Sequence, residues 1–163
     1  MSGFDPASFE PARKGRQFED FEVGRVIEHH WGRTLTQADN VAFCTATCSW
    51  SPMYLNAEFA RAHGHPDVVL HPMLVLCTCV GLSVEDLSEA GGPFLGVDGC
   101  RFLRSLHPGD TVTARSTVMD KRESRSRPGT GIVTWATEGR DQRGEKVLEY
   151  RRTNLVARRS GRG

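Results

Sequence analysis

The chain has 163 residues, 38% of them hydrophobic and 25% charged, which is enough apolar sequence for one domain with its own core. A formal net charge of +1 excludes a global electrostatic pull toward nucleic acid or an anionic membrane. No apolar run approaches the ~20 residues that span a bilayer. The start, MSGFDPASFEPARKGRQ, lacks the apolar stretch of a signal peptide. The five cysteines are odd in number and irregularly spaced, so free thiols in a reducing, cytoplasmic setting are expected.

Residues 1–16 are rich in Pro, Gly, Arg and Lys and read as a flexible tail or an arm on a neighbouring subunit. One domain is expected over 17–158, with 159–163 as a frayed end. FEDFEVGR leads into a first strand at about 25–33. Thr36 and Asp39 stand at capping-box spacing, so a short helix is expected from about 37 to 46. Pro52 biases Ser51 toward an extended backbone and breaks the chain at SWSP. NAEFARAHG reads as a second short helix ending at Gly64. Pro72 fits the first turn of a third, PMLVLCTCVGLSVEDLS. That helix is apolar on nearly every side up to Ser83, which predicts burial in the core. Beyond it the period changes to two. FLGVDGCRFLRSL, DTVTARSTVMDKRES, GIVTWATEGRD and EKVLEYRRTNLVARR alternate and carry β-branched residues, with HPGD, RPGT and DQRG as turns. Small helices, one apolar helix and then long antiparallel strands make an α+β domain whose curved sheet wraps the central helix.

The segment ADNVAFCTATCSWSPMYLNAEFARAHGHPDVVLHPMLVLCTCVGLSV resembles the MaoC-like, (R)-specific enoyl-CoA hydratase superfamily. There, an Asp near the start of a short helix is followed by a D-x-N-P-I-H-type loop, a small residue and a His-Gly step into the central helix. Asp39, Pro52, Ala60 and His71 fall at the matching places, and VDGCRFLRSLHPGDTV and RTNLVARR are similar to later family strands. The resemblance covers roughly 17–158. ADNVAF, RPGTGIV and the closing RR are most similar to the branch acting on mesaconyl-CoA and related dicarboxylic acyl thioesters. It implies a hotdog fold, an acyl thioester on CoA or a carrier protein as substrate, no cofactor beyond that CoA or phosphopantetheine, and acyl pockets at a dimer seam. A homodimer or higher homo-oligomer is the expected assembly.

The catalytic motif departs from this pattern. Ser49 and Tyr54 stand where the resemblance puts the acting Asp and His, Ser51 replaces the Asn, and His71–Pro72 replaces His-Gly. Proline has no N–H, so the oxyanion donor supplied by that glycine is missing. Such a loss is worth roughly 100- to 1,000-fold in rate. The candidate catalytic residues are therefore Tyr54, His71 and Ser49. Tyr54 can give a proton or hydrogen-bond a carbonyl, or it fills the volume of the lost His. His71 titrates near neutrality, or it is a buried histidine held by backbone. Ser49 and Asn56 can hold a water or a substrate carboxylate. Asp39 offers a carboxylate near the pocket, or serves only its helix N-terminus.

Arg125 and Arg127, clustered in KRESRSRPG, are candidate contacts for the phosphates of CoA. Arg101 and Arg104 are expected on opposite faces of a strand, and Arg151 and Arg152 read as solvated strand positions. A His63/His65/His71 metal site finds only Asp67 nearby, and no metal is expected.

Three functions compete. The first is a hydratase or dehydratase, a lyase with a rearranged acid/base set. The second is an inactive MaoC-like subunit paired with an active homologue. The third is a thioesterase or decarboxylase-type hotdog enzyme, for which the central helix offers only Glu85 and Asp86 at its far end.

Overall fold

The computed structural model describes residues 15–159 and sets an antiparallel sheet around one helix. In chain order come β1 (Val26–Glu28), β2 (Arg33–Thr34), α1 (Gln37–Ala46), α2 (Pro52–Leu55) and α3 (Ala57–Ala62). They are followed by α4 (Pro72–Leu82), α5 (Val84–Leu87), β3 (Phe94–Phe102), β4 (Thr111–Glu123), β5 (Thr130–Arg140) and β6 (Lys146–Ala157). The strands lie in the order β1-β4-β5-β6-β3, with β2 also paired to β4. The α+β reading therefore holds, with long antiparallel strands curving around α4. Residues 1–14 and 160–163 of the expected tails lie outside the described residues. Of the tail positions that are described, Arg16 bonds to Asp86 at 3.1 Å and Arg159 is tied to Glu19 and Asp20.

The period-two pattern does what it predicts. Along β5, Gly131, Val133, Trp135, Thr137 and Gly139 face inward, and their neighbours face outward. Two apolar clusters result. Val75, Leu76 and Cys79 of α4 pack on Val112, Ala114, Leu148 and Tyr150. Toward the other end of the sheet, Leu87, Phe18 and Phe21 pack on Val118, Val133, Trp135 and Val156, with Phe21 edge-on to Trp135 at 5.1 Å. Gly139 permits the close seat of α4, since a Cβ there would lie 2.7 Å from Cys79 Sγ.

Four expectations are corrected. The first strand is broken: between the pairs Glu28↔Arg115 and Arg33↔Val112 it spends four residues where β4 spends two. The surplus loops out, turning His29 inward and Trp31 outward. Second, the long helix divides at Ser83, whose hydroxyl donates to the Val80 carbonyl and accepts from Arg152. Third, α4 is not enclosed: Met73, Cys77 and Gly81 are exposed along one side. Among the described residues, nothing encloses that side. Fourth, Arg152 is no surface residue but 2% exposed, and Arg104 lies past the end of β3, paired with Glu145.

The inward turn of His29 builds a buried polar chain. Asp86 accepts from His29 Nδ1 at 2.8 Å, because a carboxylate can only accept. His29 Nε2 is then the acceptor for the Ser116 hydroxyl at 2.9 Å, and Thr137 donates to Ser116 at 2.8 Å. Burial holds the His29 pKa below its ordinary value, against the pull of Asp86 and with help from Arg16 and Arg152. The unfolded chain takes up a proton on this residue below about pH 6.5, whereas the folded chain does so only at lower pH. Stability should therefore fall as pH drops from about 6.5 toward the depressed folded value. Urea unfolding at pH 7.5 and 5.5 checks this: the drop should be smaller in His29→Gln. An unchanged drop would assign the effect to other groups.

Candidate active site

The end of α1 sets the site. Thr36 caps the helix by accepting from Asp39 N, and Asp39 returns the bond to Thr36 N at 2.9 Å. At the other end Ser49 N donates to Cys44 O and Cys48 N to Thr45 O, a Schellman closure. The left-handed residue in it is Cys48, at φ 54°, where glycine is usual. Strain of about 1 kcal/mol is thus held at the residue before Ser49.

Ser49 meets His71, the N-cap of α4. His71 Nδ1 accepts from Met73 N at 3.1 Å, which leaves the proton on Nε2, and Nε2–H donates to Ser49 Oγ at 3.1 Å. Burial lowers the His71 pKa and favours this neutral form. The Tyr54 and Phe43 rings flank the imidazole, with centroids at 4.6 and 5.0 Å. The Tyr54 hydroxyl makes no hydrogen bond among the described residues. Pro72 has no N–H and that of Met73 is used by His71, so the helix start presents two side-chain hydroxyls, those of Ser49 and Tyr54, in place of backbone donors.

One residue that the sequence reading passed over organises this cluster. Asn40, fully buried on α1, accepts from His71 N at 2.7 Å and donates to Tyr54 O at 2.9 Å and Val69 O at 3.1 Å. A single amide thus ties α1, α2 and the entry to α4 together. The only signal in the sequence is its spacing on α1, four residues before the buried Cys44.

The structure brings Ser49, Tyr54 and His71 together and leaves the other candidates apart. Asn56 caps α3, accepting from Phe59 N at 3.0 Å. Asp39 is taken up by its cap and by Arg33 Nη2 at 2.7 Å. Arg125 and Arg127 lie in the β4–β5 turn, beside the Phe18 and Trp135 cluster. The His71 entry joins Leu106 at the opposite end of the sheet. The eleven residues of β5 separate the two ends by roughly 30–35 Å. His63 bonds to Phe59 O and His65 to His107, so these do not converge with His71. Among the described residues no cluster of three or more potential ligands could hold a metal ion. Glu85 and Asp86 are occupied by Trp31 and by His29 with Arg16.

A sheet wrapped around one helix, with a polar cluster at that helix's N-terminus, defines a MaoC-like hotdog protein. The chain belongs to the mesaconyl-CoA hydratase family, which it matches over residues 7–162. It is 42% identical over 147 residues to the mesaconyl-CoA hydratase of Haloarcula hispanica, covering 90% of this chain and 41% of that protein. Among solved structures it is similar to a MaoC domain protein dehydratase from Chloroflexus aurantiacus, with TM-score 0.84, 31% identity and coverage of 91% and 42%. It is also similar to a Mycobacterium tuberculosis protein with a double hotdog fold, with TM-score 0.76, 25% identity and coverage of 88% and 44%. The chain spans about two fifths of the length of the curated mesaconyl-CoA hydratases it matches.

Proposed function

We propose that the chain hydrates or dehydrates a CoA-bound acyl thioester of the dicarboxylic, mesaconyl type, with Ser49, His71 and Tyr54 as its acid/base set. The observation that carries this is the meeting of these three residues at the start of α4 in a chain of this family. Adding water across an enoyl thioester requires a proton at the α-carbon, an activated water at the β-carbon and donors for the thioester oxygen. The Ser49 and Tyr54 hydroxyls suit the donor roles. His71 can take a proton only on Nδ1, and doing so displaces Met73 N–H from it. The base and the first helical turn therefore compete for one lone pair. The reaction calls for no cofactor beyond the CoA of the substrate, and five free cysteines agree with a cytoplasmic setting.

A homodimer completes this reading. The open edge of β3, with Phe94, Leu95 and Phe102 exposed, is what a second hotdog domain would cover. A second reading is favoured by the lack, among the described residues, of a carboxylate beside His71. In it, this chain is the non-catalytic half of a pair whose other half carries an intact motif.

The test is turnover of C4–C5 enoyl- and 3-hydroxyacyl-CoAs, dicarboxylic forms included, by the purified chain. His71→Ala should lower kcat/KM by about a hundredfold and Tyr54→Phe by about tenfold. Turnover untouched by both changes would sink the acid/base assignment. Turnover only after mixing with a co-encoded homologue would establish the second reading.

A further inference from the structure

A groove of about 410 Å³ runs along α4 between Leu74 and Leu82. Its floor is Leu74, Thr78 and Leu82, at three, seven and eleven residues from His71, the spacing that keeps one side of a helix. Its wall is Trp31, from the looped-out segment after β1, and Arg33, the first residue of β2. Opposite them, the small and exposed Gly81 leaves the groove open.

Among the described residues, Arg33 is the one cation lining this groove, and only its Nη2 is engaged, by Asp39 Oδ1 at 2.7 Å. A guanidinium has five N–H donors, so most of them stay available to a second oxyanion. Asp39 is itself fixed, because its other oxygen accepts from Thr36 N and the Thr36 hydroxyl. The helix cap thereby steadies the arginine, and Asp39 acts as its positioning residue.

We infer that Arg33 binds the distal carboxylate of a dicarboxylic acyl thioester and so selects it over monocarboxylic ones. This rests on the proposed function. Its own basis is the place of the groove along the same helix as the site: Leu74, the first floor residue, stands three residues, about 5 Å along α4, beyond His71. A four- or five-carbon acyl group whose thioester lies at His71 extends over this first part of the floor. The apolar floor suits the carbon chain, and the arginine suits its charged end.

Calorimetric titration with non-reacting ligands tests the inference without relying on turnover. CoA, butyryl-CoA and methylsuccinyl-CoA are titrated into the wild-type chain, Arg33→Gln and Arg33→Lys, each checked for an unchanged thermal midpoint. Wild type should bind methylsuccinyl-CoA about tenfold more tightly than butyryl-CoA, the scale of one charge-assisted contact. Arg33→Gln should abolish that preference and leave CoA affinity unchanged, and Arg33→Lys should keep part of it. Equal preference in wild type and Arg33→Gln overturns the inference alone. An equal loss for all three ligands also overturns it, by assigning the arginine to a phosphate. No binding of any ligand by the wild-type chain overturns the proposed function together with the inference.

Discussion

Asn40→Ala should lower the unfolding free energy by about 3–5 kcal/mol and cost the chain its His71 geometry. The side chain is fully buried and its three hydrogen bonds all go to backbone groups: His71 N, Tyr54 O and Val69 O. Alanine supplies none of them, and each buried group left unpaired costs roughly 1–3 kcal/mol. The cavity left by the amide adds to this. Asn40→Asp separates the donor roles from the acceptor role. A carboxylate can still accept from His71 N, but it faces the Tyr54 and Val69 carbonyls with no proton to give. It should therefore be at least as unstable as Asn40→Ala near neutral pH and recover part of the loss on acidification. Urea unfolding at two pH values reads this. Equal stability of both variants with wild type would show that water replaces the amide without cost.

The parts of the fold set by local rules were legible in the sequence. The Thr36–Asp39 box marks α1 to the residue and Pro72 marks the start of α4, because a cap and a proline act within one turn; α2, which starts at Pro52, was read only as a break. The alternation along β5 is equally local. The meeting of Ser49, Tyr54 and His71 was legible only through resemblance, since the pairs are up to 22 residues apart. What stayed hidden depends on long-range packing. His29 and Asp86 are 57 residues apart, and nothing near either announces the other. The open side of α4 was hidden for a different reason. A helix apolar all round has the same sequence whether its last face is covered by its own chain or by another.

Arg152 is the largest failure of the sequence reading, because an arginine on a strand is ordinarily solvated. Here the guanidinium lies inside the sheet, held by neutral groups alone: Nε to Asn154 Oδ1 at 2.9 Å, Nη1 to Ser83 Oγ at 2.8 Å and Nη2 to Ser88 Oγ at 2.5 Å. The Phe94 ring faces it at 5.3 Å. No carboxylate pairs with it among the described residues, and burial lowers its pKa. A buried cation without a counter-charge is expensive to desolvate, so its value lies in joining the break after α4 to β6. Arg152→Ala should cost about 3–5 kcal/mol, because it opens a cavity and leaves Ser83, Ser88 and Asn154 short of a donor. Arg152→Met fills much of the same volume and removes the charge, and should recover about 2 kcal/mol of that loss. Chemical unfolding of the two variants decides between the contributions. If methionine recovers nothing, the hydrogen bonds carry the stability. If it matches wild type, the arginine is held for a reason other than the stability of this chain.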